Sequence, residues 1–160
     1  MSHFMNTVRT HFDAVASHVM GQLTGDEAVT LNLSAEDTLY VRFNANRVRQ
    51  NTDVQQMVLS LQLQSLGRTV KQSCTLSGNL DADCDLLSAT LQACRAEVAV
   101  LDVDPHQVPI VNHGSSDDTF SGALLAPQDV VSAILDSTEG CDLAGLYAGG
   151  VVIRANRNSA

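Results

Sequence analysis

Apolar residues recur at three- and four-residue steps over 6–23, where Val8, Phe12, Val15, Val19 and Leu23 share one side of a helix. Thr24-Gly25-Asp26 stops that helix, and Gly25 suits a left-handed cap. The period then changes to two. Val29, Leu31 and Leu33 alternate with polar residues, and Ala35-Glu36-Asp37 reads as a turn. Leu39, Val41 and Phe43 alternate next, before a second turn at Asn44-Ala45-Asn46. Residues 47–52 form a short polar strand. Met57, Leu59, Leu61 and Leu63 then alternate with Val58, Ser60, Gln62 and Gln64. Leu66-Gly67-Arg68 turns the chain, and residues 70–76 return. The pattern predicts an α+β fold: a curved antiparallel sheet of about five strands, with helices packed mainly on one face. The opposite face is rich in Gln, Ser and Thr, so it meets either solvent or a partner.

The clearest helix follows at 80–101. Leu80, Cys84, Leu87, Leu91, Cys94, Val98 and Leu101 form its seam, Asn79 is its N-cap, and Asp81, Asp83 and Asp85 suit the positive end of its dipole. Residues 102–126 contain Pro105, Pro109, Gly114 and a Ser-Ser-Asp-Asp run, so they read as a long loop of the functional or mobile kind. Pro127 opens a third helix at 127–139, with Val130, Val131, Ile134 and Leu135 on its buried side and Gly140 closing it. A Gly-rich turn around Gly145, Gly149 and Gly150 precedes a last strand. Residues 1–160 are expected to form a single domain.

Composition narrows the function classes. Hydrophobic residues make up 44% of the chain and aromatics only 4%, so the core rests on aliphatic side chains. Eighteen acidic residues against nine basic ones give a net charge of −9, which repels a polyanion, so no nucleic-acid partner is expected. No apolar run is long enough to cross a bilayer, and no basic-then-apolar leader opens the chain, so no membrane partner is expected. Cys74, Cys84, Cys94 and Cys141 form no CxxC pair and read as reduced thiols.

Catalytic chemistry is not evident. No HExxH, HExxxH or GxSxG is present. His11 and His18 share a helix face and read as solvated surface residues. Asp102, Asp104, His106 and His113 are the nearest approach to a metal set, but their order matches no strong ligand pattern. No catalytic residue and no metal ligand is therefore assigned. Arg42, Arg47, Arg49 and Arg68 lie in or between strands, either as a solvated face or as an anion or C-terminal-carboxylate site. The polar strand at 47–52 is a candidate edge. Arg47, Val48 and Arg49 there are the candidate binding residues, because an open edge offers main-chain groups to another chain.

Three stretches carry a resemblance. LYVRFNANRVRQNTDVQQMVLSLQLQSLGRTVKQSCT (39–75), DADCDLLSATLQACRAEVAVLDVDPHQVPI (81–110) and DLAGLYAGGVVIRANRNS (142–159) are similar to the N-terminal domain of TldD/PmbA proteins. The resemblance implies the non-catalytic part of a cytoplasmic zinc metallopeptidase, in a family also labelled modulators of DNA gyrase. Its implied partners are unfolded or small peptides and a TldD/PmbA-type subunit in a homo- or heterodimer. The implied zinc belongs to an HExxxH region that lies outside this sequence, so no cofactor is expected in this chain. The alternative is a stand-alone or truncated binding module without peptidase activity.

Overall fold

The structure is a computed structural model and describes residues 3–160. Its elements run α1 (His3–Met20), β1 (Ala28–Asn44), β2 (Arg47–Ser65), β3 (Arg68–Leu76), α2 (Leu80–Val98), a 3-10 turn (Pro127–Asp129), α3 (Val130–Ser137) and β4 (Gly145–Asn158). The strands form one open, curved antiparallel sheet in the order β3-β2-β1-β4. The α+β class stands, but there are four strands rather than about five. Ala35-Glu36-Asp37 is not a turn, and β1 runs through it. The polar stretch 47–52 is likewise not a separate strand but the first part of a 19-residue β2. Ala35 is 1% exposed, so it belongs to the packed face of the ladder although Glu36 and Asp37 follow it.

Two turns fix the hairpins. Ala45 and Asn46 both have positive φ, 49° and 56°, as do Leu66 and Gly67, 49° and 72°. Two consecutive left-handed residues make the turn whose twist matches that of paired strands. After the second turn Ser65 pairs with Arg68, and the register runs out to Met57 opposite Leu76. Because β3 is only nine residues long, β2 before Met57 has no β3 partner.

The chain packs as two compact units, the first comprising residues up to Ala35, Gln56–Ser115 and Ile153–Ala160, the second Glu36–Gln55 and Ser116–Val152. In the first unit α1 and α2 cover one face of the sheet. Val8, Phe12, Val15 and Val19 from α1 meet Leu87, Leu91, Cys94 and Val98 from α2. Both sets pack on Val29, Leu31 and Leu33 of β1 and Leu59, Leu61 and Leu63 of β2. The predicted seam of α2 is buried in its middle only: Leu80 and Leu101 are exposed, and the helix ends at Val98. Asn79 caps it as expected, its Oδ1 accepting from Ala82 N at 3.0 Å. In the second unit Val41, Phe43 and Val130 form the core, flanked by Leu39, Ile134 and Leu143.

The polar face of the first unit is not left to solvent alone. Gln64 points away from the Leu63 side by strand alternation. Its Nε2 donates to Val108 O at 3.0 Å and its Oε1 accepts from Ile110 N at 3.2 Å. Gln107 donates to Arg68 O and Thr69 Oγ1, and Asn158 Nδ2 donates to Val111 O. The first half of the long loop is thus strapped across the sheet by side-chain amides, which complete backbone groups no strand pairs with.

Asn46 holds the hairpin end of the second unit. Its Oδ1 accepts from Leu143 N at 2.6 Å and its N donates to Leu143 O at 3.3 Å. Asn46→Ala is expected to cost about 1–2 kcal/mol, from the left-handed backbone and the lost hydrogen bond together. Asn46→Gly keeps the backbone freedom and should lose about half as much. Thermal melts of the two variants check the difference.

Candidate functional site

The β1–β2 hairpin end carries a groove of 920 Å³ within the second unit. Three segments line it: Tyr40, Arg42, Phe43 and Asn44 of β1; Arg49, Gln50, Thr52 and Val54 of β2; and Ala144, Gly145 and Leu146 at the start of β4. Phe43 is 3% exposed and belongs to the core beneath. The Tyr40 hydroxyl donates to Glu36 Oε2 at 3.1 Å. That bond, with burial and the Glu36 charge, raises the tyrosine pKa above its ordinary value, so Tyr40 stays a neutral phenol.

The four sequence-picked arginines separate. Arg68 is structural, its Nε donating to Leu101 O at 2.6 Å beyond the end of α2. Arg42 and Arg49 both line the groove. Arg47 and Val48 start β2 beside the turn and are exposed, Val48 by 40%. Among the described residues the side chains of Arg42, Arg47 and Arg49 have no hydrogen-bond or ion-pair partner. By contrast Arg95 is bound to Glu27 through two bonds, Nε to Oε1 at 2.6 Å and Nη2 to Oε2 at 2.7 Å, which hold the Glu27 carboxyl below its usual range.

Tyr40, Asn44, Gln50 and the start of β4 were not picked out from sequence. One signal was there to use: residues 39–52 contain three arginines and no acid, in a chain with twice as many acids as bases. The strand from Gly145 is a correction too. Gly149 and Gly150 lie inside β4, not in a turn before it. A Cβ on Gly150 would lie 2.5 Å from Thr38 Cα and closer still to the Asp37 carbonyl oxygen. The glycine is there because β1 backbone occupies the space.

The histidines and thiols also sort out. His11 is not a solvated surface residue: its side chain is 9% exposed and its Nε2 donates to Asp83 Oδ2 at 2.7 Å. His18 is exposed and bonds to Ser88 and Gln22. Asp104 turns back to accept from its neighbour His106 N, and among the described residues no three His, Cys, Asp or Glu side chains gather as a metal set. All four cysteines are free; burial raises the thiol pKa of Cys74, Cys84 and Cys94.

By sequence alone, no protein-family model and no curated protein matches the chain. Solved structures do. TldE from Thermococcus kodakarensis superposes with a TM-score of 0.64 at 11% identity, over 96% of this chain and 35% of its own. A proposed modulator of DNA gyrase from Bacteroides thetaiotaomicron gives 0.55 at 15% identity, over 94% and 38%. Another from Thermotoga maritima gives 0.54 at 11% identity, over 98% and 35%. The chain has the TldD/PmbA fold. Nearly all of it takes part in the match, yet it spans little more than a third of the length of these relatives. Among the described residues no helix is long and apolar enough to cross a membrane.

Proposed function

We propose that this chain is the non-catalytic N-terminal part of a TldD/PmbA-type zinc metallopeptidase. It contributes a peptide-binding surface and the docking of a second subunit, in the cytoplasm. One observation carries the reading: a TldD/PmbA fold that accounts for 94–98% of this chain and 35–38% of its structural relatives. An HExxxH zinc site belongs to the remaining two thirds on this reading, so no metal and no catalytic residue is assigned here. The peptide surface is the open side of β2. Arg47, Val48 and Arg49 lie in the stretch that β3 is too short to pair, and unpaired strand groups take an extended peptide through main-chain bonds common to every sequence.

The second reading, a stand-alone peptide-binding module, draws on the same open strand and differs only in needing no partner. Hydrogen exchange tests both. With an unstructured peptide in excess, amides within 47–55 should exchange more slowly. Adding a TldD/PmbA-type subunit that carries HExxxH should yield a complex of higher mass by size exclusion. Protection without a complex favours the stand-alone module. No protection and no complex would sink both readings.

A further inference from the structure

The hairpin groove holds an arrangement that a strand edge alone does not explain. Arg42 and Arg49 line one cavity, and among the described residues neither guanidinium has a hydrogen-bond or ion-pair partner. Elsewhere arginines use their donors internally: Arg68 on Leu101 O, Arg95 on Glu27, Arg157 on Ser17. Edge protection is the obvious alternative, since charged side chains blunt exposed strands. It fits Arg47. It does not fit Arg42, which lies on β1, a strand flanked on both sides in the order β3-β2-β1-β4.

We propose that this groove captures the C-terminal α-carboxylate of an extended peptide, with Arg42 and Arg49 as its oxyanion ligands. A guanidinium presents its donors as a planar fork that matches a carboxylate. Val54 and Leu146 give the rest of the groove an apolar lining, while Asn44, Gln50 and Thr52 supply hydrogen bonds. At 920 Å³ the groove has room for several residues behind the terminal one, far more than a lone inorganic ion requires. Charge decides between oxyanions. The chain carries −9 overall, and Glu36 sits at the Tyr40 end of the groove. That field penalises a dianionic phosphate more than a single terminal carboxylate. Residues 39–52, with three arginines and no acid, give the site a local positive charge within that acidic chain.

The inference rests on the peptide-binding reading for its ligand class and adds the end of the peptide that is held. The test uses the 160-residue chain and a flexible, N-terminally fluorescent Ala/Ser/Leu peptide, as the free acid and as the C-terminal amide. Anisotropy should show the acid binding about tenfold more tightly or better, the worth of one charge-assisted bidentate contact. Excess acetate should compete with the acid and leave the amide untouched. R42Q/R49Q should erase the difference between the two peptides. The single variants Arg42→Lys and Arg49→Lys keep the charge, lose the fork and should fall between, which guards against a double variant that fails to fold. Equal affinity for acid and amide overturns the proposal, as does a preference that survives in R42Q/R49Q. So does tight binding of inorganic phosphate without peptide. If acid and amide bind equally while amides at 47–55 slow, the edge reading stands and the carboxylate site alone falls; if neither peptide binds, both fall.

Discussion

Asp83→Ala is expected to cost about 3–5 kcal/mol, as much as truncating a core leucine. Asp83 is 1% exposed, an unusual position for a carboxylate. Four donors converge on it. Ser77 N and Ser77 Oγ reach Oδ1 at 2.8 and 2.9 Å; Gly78 N and His11 Nε2 reach Oδ2 at 2.9 and 2.7 Å. The carboxylate thereby fastens the β3–α2 connection to α1. Truncation leaves the His11 ring nitrogen, on a side chain 9% exposed, and the part-buried Ser77 and Gly78 donors without their acceptor, and that loss dominates the cost. Asp83→Asn fills the space but cannot accept from all four, so its loss should be intermediate. Chemical denaturation of the two variants measures both.

The same carboxylate sets a pH dependence. Burial pushes its pKa up, but the bonds from Ser77, Gly78 and His11 together outweigh burial and hold it below the usual carboxylate value. A depressed pKa means that the folded state binds the proton less readily than the unfolded chain does. The stabilisation is therefore fully present above the unfolded value of about 3.9 and is lost as pH falls through the folded one. Glu27, held down by its Arg95 hydrogen bond, acts in the same direction. Wild-type stability should drop as pH falls below about 4, and the drop should be shallower in Asp83→Asn. A variant whose acid limb matches that of the wild type would remove Asp83 as its source.

The second large effect is expected at Gly150→Ala, with a loss of about 3 kcal/mol or more and a fall in soluble yield. The added methyl meets the Asp37 carbonyl oxygen and Thr38 Cα, both backbone, so no rotamer change relieves the clash. One strand must shift away from the other, and the β1–β4 pairing loosens. Gly149→Ala is the informative control. At Gly149 the atoms nearest to an added methyl are the hydroxyl and ring of Tyr147, a side chain that can turn away. Melting temperatures should rank wild type, then Gly149→Ala, then Gly150→Ala. An Ala at 150 as stable as the wild type would show that β1 and β4 do not approach closely there.

These two glycines also mark where local pattern stops being informative. Two glycines in a row look like a turn from sequence, because Gly's freedom of φ is its commonest use. Here they serve close approach, which depends on a strand more than a hundred residues earlier. Ala35-Glu36-Asp37 failed for the matching reason: acidic residues disfavour a strand only until pairing on both sides supplies their backbone bonds. His11 was misplaced because Asp83, its partner, is 72 residues away and looked like one of several dipole-facing acids.

The amino-acid order by itself determined the kind of most elements, because side-chain period is a local property: steps of three and four put Val8, Phe12, Val15 and Val19 on one helix stripe, and steps of two put Leu59, Leu61 and Leu63 on one sheet face. It also placed both hairpin turns, the Asn79 cap and a cluster of arginines in the stretch 39–52, and its resemblance to TldD/PmbA proteins pointed to the fold that the solved structures share. Only the tertiary structure decided which arginines are committed and which are open. Arg68 and Arg42 look alike in sequence, each a single cation in or beside a strand pattern. Arg68 finds the carbonyl of Leu101 at 2.6 Å, while Arg42 faces a groove assembled with Arg49 and the start of β4. A side chain's neighbours across a sheet are set by register and chain crossing, and neither is encoded within reach of the residue itself.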